Sequence, residues 1–383
     1  MHRALAFATL GLALVCGCSS GSARTPSKPS PSVASSAPTP RRAPTGARLD
    51  YLKMLTAKVG WGFEYGAATI VRTDDGGRSW QSFSPISGGS VRQVYAHREN
   101  LAWATAVDAA GVQRVARTSD AGATWQTSGP VPVDGSVAQM DFADADHGWL
   151  LVLKAVHGNQ RTAVPSFLTT SDGGANWRPA GSASAGCSVY SIAFLNATTG
   201  WLVGGFCGEK PYLLVSHDGG ESWSAQSFPA PVKSASRSAL PMSLIDAPAF
   251  WTFREGAFVY REGVTTGANA LQYSTLYRTH DGGATWSAIG LPATPLTYDF
   301  RHGPALWFVG SGPSGDTEHL SFYGSTDGGD HWKKVADSIP RFGVVQFPDA
   351  SVGIASVAGP PPQLLMESTD GGQTWHDIGA RLP

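Results

Sequence analysis

From Val189 to Phe194 hydrophobic and polar residues alternate toward a turn at Asn196 to Thr199. Gly200-Trp201-Leu202-Val203 opens a second apolar run, Tyr212 to Ser216 a third, and Trp223 to Phe228 a fourth. Short runs of this kind, separated by turn residues, predict four antiparallel β-strands. The link between the third and fourth runs is Ser216-x-Asp218-x-Gly220-x-x-Trp223.

That link recurs along the chain. The pattern S/T-x-D-x-G-x-x-W occurs seven times in register, with its aspartate at Asp75, Asp120, Asp172, Asp218, Asp281, Asp327 and Asp370. Residues 49–383 therefore divide into seven units of roughly 48 residues, near the usual length of a propeller blade repeat. The expected fold is all-β: a seven-bladed β-propeller of four-stranded antiparallel blades, the motif forming the turn between strands three and four.

The chemistry of the motif is structural. Its aspartate can accept hydrogen bonds from backbone amides of its own turn. Glycine supplies positive φ, and the tryptophan packs between sheets. Seven copies spread around a ring cannot converge on one reactant, so these aspartates are read as neither catalytic nor metal-binding. A second series, Trp61, Trp103, Trp149, Trp201, Trp251 and Trp307, with Ile354 in the last unit, marks the start of each second strand. With the seven motif tryptophans it accounts for all 13 in the chain, leaving none spare for a sugar-stacking platform.

On these seven motifs the chain resembles the Asp-box, or BNR, repeat propellers, a superfamily of sialidases, sortilin-type domains, certain glucanases and photosystem II assembly factors. The resemblance implies a fold and says little about function. Sialidases carry an Arg-Ile-Pro segment before the first box, and Tyr51 to Val71 contains none. The assembly-factor group is the nearest in blade count and box density, and it implies a protein partner at a membrane.

Spacing points to one face. From each box aspartate to the next marker the intervals are 28, 29, 29, 33, 26 and 27 residues. From marker to box aspartate they are 14, 17, 23, 17, 30, 20 and 16. Variation thus concentrates between strands two and three, on the face opposite the boxes, and loops on a rigid scaffold are where binding residues collect. The candidate loops contribute His157, Asn159, Gln160 and Arg161 in blade three. Blade five adds Arg254, Glu255, Tyr260, Arg261, Glu262 and Asn269; blade six adds Asp316, Glu318 and His319. Solvated loop charges are the plain alternative for each.

Composition adds a destination. Six basic residues and no acid precede Leu49, leaving 22 basic and 29 acidic residues in the body. Charged residues make up only 15%, which argues against nucleic-acid binding. Met1-His2-Arg3 followed by apolar Ala4 to Val15 reads as an export signal over 1–17, too short to span a bilayer as a mature helix. Val15-Cys16-Gly17-Cys18 resembles a bacterial lipobox with Cys18 as the lipidated residue; an ordinary cleaved signal is the alternative. The Ser/Pro-rich stretch 18–48 has almost no large apolar residue to bury and reads as a tether to the 49–383 propeller. Location is then outside the cytoplasm, anchored to the outer face of the membrane or in the periplasm.

Cys187 and Cys207 remain. If Phe194 faces Gly200, paired residue numbers sum to 394, which also sets Cys187 opposite Cys207 and predicts a disulfide permitted by export. Metal ligation or a reactive thiol pair are the alternatives. Asp141 to Gly148 looks faintly like a calcium loop, yet it coincides with the Asn196 turn of the next unit and lacks a distal glutamate. No G-x-S-x-G, H-E-x-x-H or phosphate-binding glycine loop occurs. No cofactor is expected. The reading is a monomeric, membrane-anchored binding or assembly module for a protein or glycan partner of the cell envelope. The alternative is a glycoside hydrolase, for instance one using Glu255 or Glu262 with Asp316.

Overall fold

A computed structural model describes residues 49, 51–64, 69–156, 159–181, 188–205, 211–232, 242–266, 269–311, 320–358 and 364–379. Among them there are seven antiparallel sheets and no helix. Cys18, Cys187, Cys207, His157, Asp316, Glu318 and His319 lie outside the described residues.

Blade four matches the pattern read from its sequence: Ser188–Phe194, Gly200–Gly205, Tyr212–Ser216 and Ser224–Ala225 pair in that order. The first strands of the other blades are Tyr51–Met54, Ser90–Arg98, Ser136–Phe142, Met242–Ile245, Thr294–Asp299 and Phe342–Gln346. In blade five the first strand is broken and resumes as Ala249–Phe250, giving that sheet a fifth segment. Blade seven is built from C-terminal residues alone, and it meets blade one by packing. Leu52, Met54 and Val71 share a buried cluster with Ile354 and Leu365. Arg78 and Glu367 pair across the seam at 2.6 Å.

Each Asp-box turn closes on itself. In the first, Thr73 donates its hydroxyl to Asp75 Oδ1 (2.8 Å) and accepts the Gly77 amide (2.8 Å), while Asp75 accepts the Ser79 amide (2.8 Å). The same bonds recur at Asp120, Asp172, Asp218, Asp281, Asp327 and Asp370. All seven aspartates are thereby used in their own turns. Gly76 and Gly77 take φ of 74° and 89°, the left-handed region that glycine enters without steric cost. The amide after each box aspartate also donates to the turn joining strands one and two of its own blade, as Gly219 N to Thr198 O at 2.8 Å. Box turns and first hairpin turns therefore share one face.

Neighbouring blades are joined by aromatic stacks. Trp103 lies on Phe142 (3.8 Å, 10°), Trp149 on Phe194 (3.6 Å, 1°) and Trp307 on Phe347 (4.3 Å, 10°). Phe142 and Phe194 end first strands opposite Gly148 and Gly200, and Phe347 directly follows the first strand of blade seven. A β-carbon on Gly148, Gly200 or Gly353 would sit 2.3–2.4 Å from the respective ring. The glycines before Trp149, Trp201 and Ile354 are thus the space through which Phe142, Phe194 and Phe347 reach the tryptophan of the preceding blade.

Two expectations need correction. Trp251 does not mark a second strand: Phe250 pairs with Gly256, so Ala257 holds the marker position and Trp251 sits in the turn between them. The affected intervals become 39 residues from Asp218 to Ala257 and 24 from Ala257 to Asp281. Both kinds of variable connection still open on the face opposite the boxes, because strands two and four both run toward it. Second, the ladder Phe194↔Gly200, Ala193↔Trp201 shifts at a bulge between Val189 and Ser191, so Ser188 faces Gly205. The described end of that ladder sums to 393, and the arithmetic that set Cys187 opposite Cys207 does not carry through it.

Candidate functional site: the central channel

The candidate loops separate on folding. In blade three, Gly148–Val156 and Asn159–Thr170 form a long hairpin, with Asn159, Gln160 and Arg161 at the start of its return strand. Blade five makes a second, Gly256–Thr266 with Asn269–Thr279, Asn269 opening its return strand. These ribbons extend a few residues beyond the Gly200–Gly205 hairpin, on the order of 10–15 Å at 3.3 Å per residue. Tyr260, Arg261 and Glu262, however, belong to the Gly256–Thr266 strand and not to a loop. Tyr260 and Glu262 are 7% and 6% exposed. Arg261 grips both carboxylate oxygens of Asp246 at 2.7 Å and donates to Pro295 O of blade six, so it ties strands together.

Arg254 and Glu255 lie on the opposite face from the one expected. They sit in the Trp251 turn beside the box. The Arg254 carbonyl accepts the Gly282 amide, and Glu255 pairs with His280 at 2.9 Å and Arg278 at 3.6 Å. The shift follows from the misplaced marker: a turn between strands one and two was read as the connection after strand two.

The first strands enclose a cavity of about 1150 Å³ on the propeller axis. Blades one to six supply its wall, and Leu55, Ala143, Leu195, Phe253 and His302 from first hairpin turns, with His97 at the end of its strand, supply its mouth. The channel therefore opens on the Asp-box face. Phe253, 75% exposed, is the most exposed large apolar residue among those described, and Trp251 stands beside it, the tryptophan that the corrected register leaves over.

The wall carries charge. Register explains part of it: Lys53, Tyr95, Asp141 and Asp299 each pair with the marker tryptophan of their own blade, on Trp61, Trp103, Trp149 and Trp307. One structural position thus holds a base, a phenol and two acids in four blades. Lys53 Nζ donates to Ala96 O at 2.6 Å and lies 5.1 Å from the centre of the Tyr95 ring. Tyr95 donates to Phe142 O at 2.8 Å. Asp141 accepts the Phe194 amide of blade four at 2.7 Å, and Asp299 accepts the Phe347 amide of blade seven at 2.9 Å and the Arg301 amide at 3.1 Å.

Burial governs the titration of these groups. It pushes Lys53 down to about 7, helped by repulsion from Arg301 and opposed by Asp141 and Asp299. It raises Asp141 despite the Phe194 and Tyr95 bonds, and it lowers His97 to about 4 with Lys53 and Arg98 adding repulsion. Burial opposes the Arg301 charge too, but attraction led by the Asp299 carboxylate outweighs it and holds the guanidinium above its ordinary value. Arg301 is accessible to solvent yet surrounded by protein, because the surface it exposes faces the cavity.

Repeat and ring together define the class: this is an Asp-box (BNR) seven-bladed β-propeller. The BNR/Asp-box repeat family matches residues 214–225 and 366–377, and the Sortilin-Vps10 family (sortilin, neurotensin receptor 3) matches residues 68–199. Among solved structures the chain is similar to oligogalacturonate lyase in complex with manganese, at 12% identity, 85% of this chain, 90% of that one and a TM-score of 0.57. It is similar also to YCF48 bound to a D1 peptide, at 16% identity, 88% and 84% coverage and a TM-score of 0.42. YCF48 from Cyanidioschyzon merolae gives 16% identity, 77% and 87% coverage and 0.48. No curated protein matches the chain. Likeness at this identity shows the fold alone.

Sequence reasoning missed the channel. Lys53, Tyr95, Asp141 and Arg301 are scattered over four blades with no common motif. The one available signal was positional: each of the first three lies eight residues before a marker tryptophan, at the end of a predicted first strand.

Proposed function

We propose that the protein is an exported, lipid-anchored lipoprotein whose propeller is a non-enzymatic binding or assembly module for a protein or glycan partner of the cell envelope. Export and anchoring rest on the signal-like run and the lipobox at Cys18, and the tether gives the ring reach above the membrane. The observation that carries the binding reading is where the carboxylates go. The seven box aspartates are consumed by their turns, and Asp141 and Asp299 hold amides of the next blade.

A glycoside hydrolase needs two carboxyl groups about 5–9.5 Å apart across the scissile bond. Glu255 is held by His280 and Arg278 at the box face, and Glu262 is buried within blade five near the other end of the same strand. Neither position favours a shared substrate with a residue across the channel.

The test is a detergent pull-down of the full chain from its source membrane, read by mass spectrometry, beside an aryl-glycoside panel. Recovery of a specific envelope partner without turnover supports the reading; turnover with no partner overturns it. Cys18→Ser should release the chain from the membrane fraction, and unchanged fractionation would refute the anchor.

A further inference from the structure

The channel wall is unbalanced in its hydrogen bonding. Asp141 in the wall accepts the Phe194 amide, and Asp299, buried behind it, accepts the Phe347 and Arg301 amides. A third, Asp246, is spent on Arg261. Its donors are in surplus. Lys53 gives one N–H to Ala96 O and keeps two, and the Arg301 guanidinium turns its accessible surface to the cavity. Among the described residues neither cation makes a direct ion pair with a carboxylate. Tyr51, Tyr95 and Tyr298 line the same space, each kept protonated by burial. A cavity with spare donors and occupied acceptors suits a ligand that brings acceptors and charge.

We infer that the central channel, entered from the Asp-box face, binds a ligand through a single carboxylate held between Lys53 and Arg301. This deepens the binding-module reading and rests on it. The charge count sets the class. Lys53 and Arg301 stand against Asp141 in the wall and Asp299 behind it, and the third lining cation, Arg92, is exposed to solvent, so the pair has little excess charge to neutralise a dianion such as phosphate. A monocarboxylate restores the attraction that Lys53 and Arg301 now spend repelling each other. It also accepts two hydrogen bonds in the plane a guanidinium offers. The mouth, with Trp251 and the exposed Phe253, admits the rest of the ligand.

The inference carries a pH dependence. The groups facing Lys53 are Arg301 and Asp299 from blade six, Asp141 from blade three, and Tyr95 and His97 from blade two, with Tyr51 on its own strand. His97 and His302 are both held below the ordinary histidine range, by burial first and by nearby cations second. His97, at about 4, stays neutral across pH 6 to 8.5, where a carboxylate probe is fully ionised. Lys53, at about 7, is the group that changes. A bound carboxylate is favoured by the charged lysine, so binding should weaken as pH rises through 7.

The experiment uses the full chain in detergent and calorimetric titration with matched probes: acetate against acetamide, glucuronate against glucose, and N-acetylglycine against its amide. At pH 6 each acid should bind more tightly than its neutral partner, and affinity should fall at least about fivefold by pH 8.5 as Lys53 loses its proton. Preference between glucuronate and N-acetylglycine then distinguishes a sugar acid from a chain-terminal carboxylate. Lys53→Met should weaken acid binding about tenfold and flatten the pH profile, the effect of losing one charge-assisted contact. Arg301→Gln should abolish binding, and Arg301→Lys should restore part of it. Equal heats from acids and their neutral partners would overturn the inference with the wild-type chain alone, whatever the folding of the variants. If Lys53→Met and Arg301→Gln recover the pull-down partner at wild-type yield, the channel site falls while the binding module stands. If neither partner nor probe binds, both fall.

Discussion

Trp149 of blade three lies flat against Phe194 of blade four, ring centroids 3.6 Å apart and planes 1° from parallel. The contact explains the glycine between them in the fold. Phe194 pairs with Gly200, and a β-carbon there would come within 2.3 Å of the phenyl ring. Trp149 Nε1 then donates to Gly219 O of blade four's box turn at 2.8 Å, so one tryptophan clamps two parts of its neighbour.

Gly200→Ala should displace the Phe194 ring and cost about 1–3 kcal/mol, the usual penalty for forcing extra volume into a packed site. Phe194→Ala should cost about 3–5 kcal/mol through the cavity it leaves. Urea unfolding measures both. A Gly200→Ala chain as stable as wild type would remove the role assigned to the marker glycine.

The box aspartates predict tolerance of mild acid. In Asp218 the Ser222 hydroxyl and amide, with the Ser216 hydroxyl, hold the carboxyl down at about 2. Its folded value lies below its unfolded one, so its contribution is present above about pH 4 and is lost as pH falls toward 2. Asp218→Ala should cost about 1 kcal/mol, held low because the turn is exposed and water competes for the bonds. The cost should shrink between pH 5 and pH 2 in thermal melts. A cost independent of pH over that range would contradict the assignment.

Lys53 has the opposite sign. Its folded value near 7 lies below the 10.5 of an ordinary lysine, so between those values the unfolded chain binds the extra proton and stability rises with pH. Below 7 the full cost of a charged lysine in the channel is carried. Lys53→Met should therefore raise the melting temperature most at pH 6, and the gain should diminish toward pH 10. Scanning calorimetry at the two ends checks it, and a gain larger at pH 10 would reverse the conclusion.

Cys187 and Cys207 are proposed to form a disulfide, on the strength of export and their flanking of one hairpin. Thiol titration of the unfolded, unreduced chain should find neither free. Two free thiols at these positions would refute the bridge, and the bulge between Val189 and Ser191 would then supply the geometric reason.

The blade count was legible in the sequence because the Asp-box closes within eight residues. Thr73, Asp75, Gly77 and Ser79 bond one another at separations of two to four positions, so each turn is specified locally. The alternation of Val189 to Phe194 likewise fixed strand and turn before any packing was known. Where the outcome depends on which residues stand opposite one another, local pattern is insufficient. Trp251 had the right residue type about the right distance from a box, yet Gly256-Ala257 takes the strand position because Phe250 must cross a glycine. A bulge of one residue undid the cysteine arithmetic for the same reason: register is set by packing between blades. The channel is the extreme case. Lys53, Tyr95, Asp141 and Arg301 are separated by some 250 residues of chain, and only closure of the ring brings them to one axis. The sequence determined the blades, whose bonds are local; the tertiary structure decided the site, because its charges interact only where first strands from six blades meet.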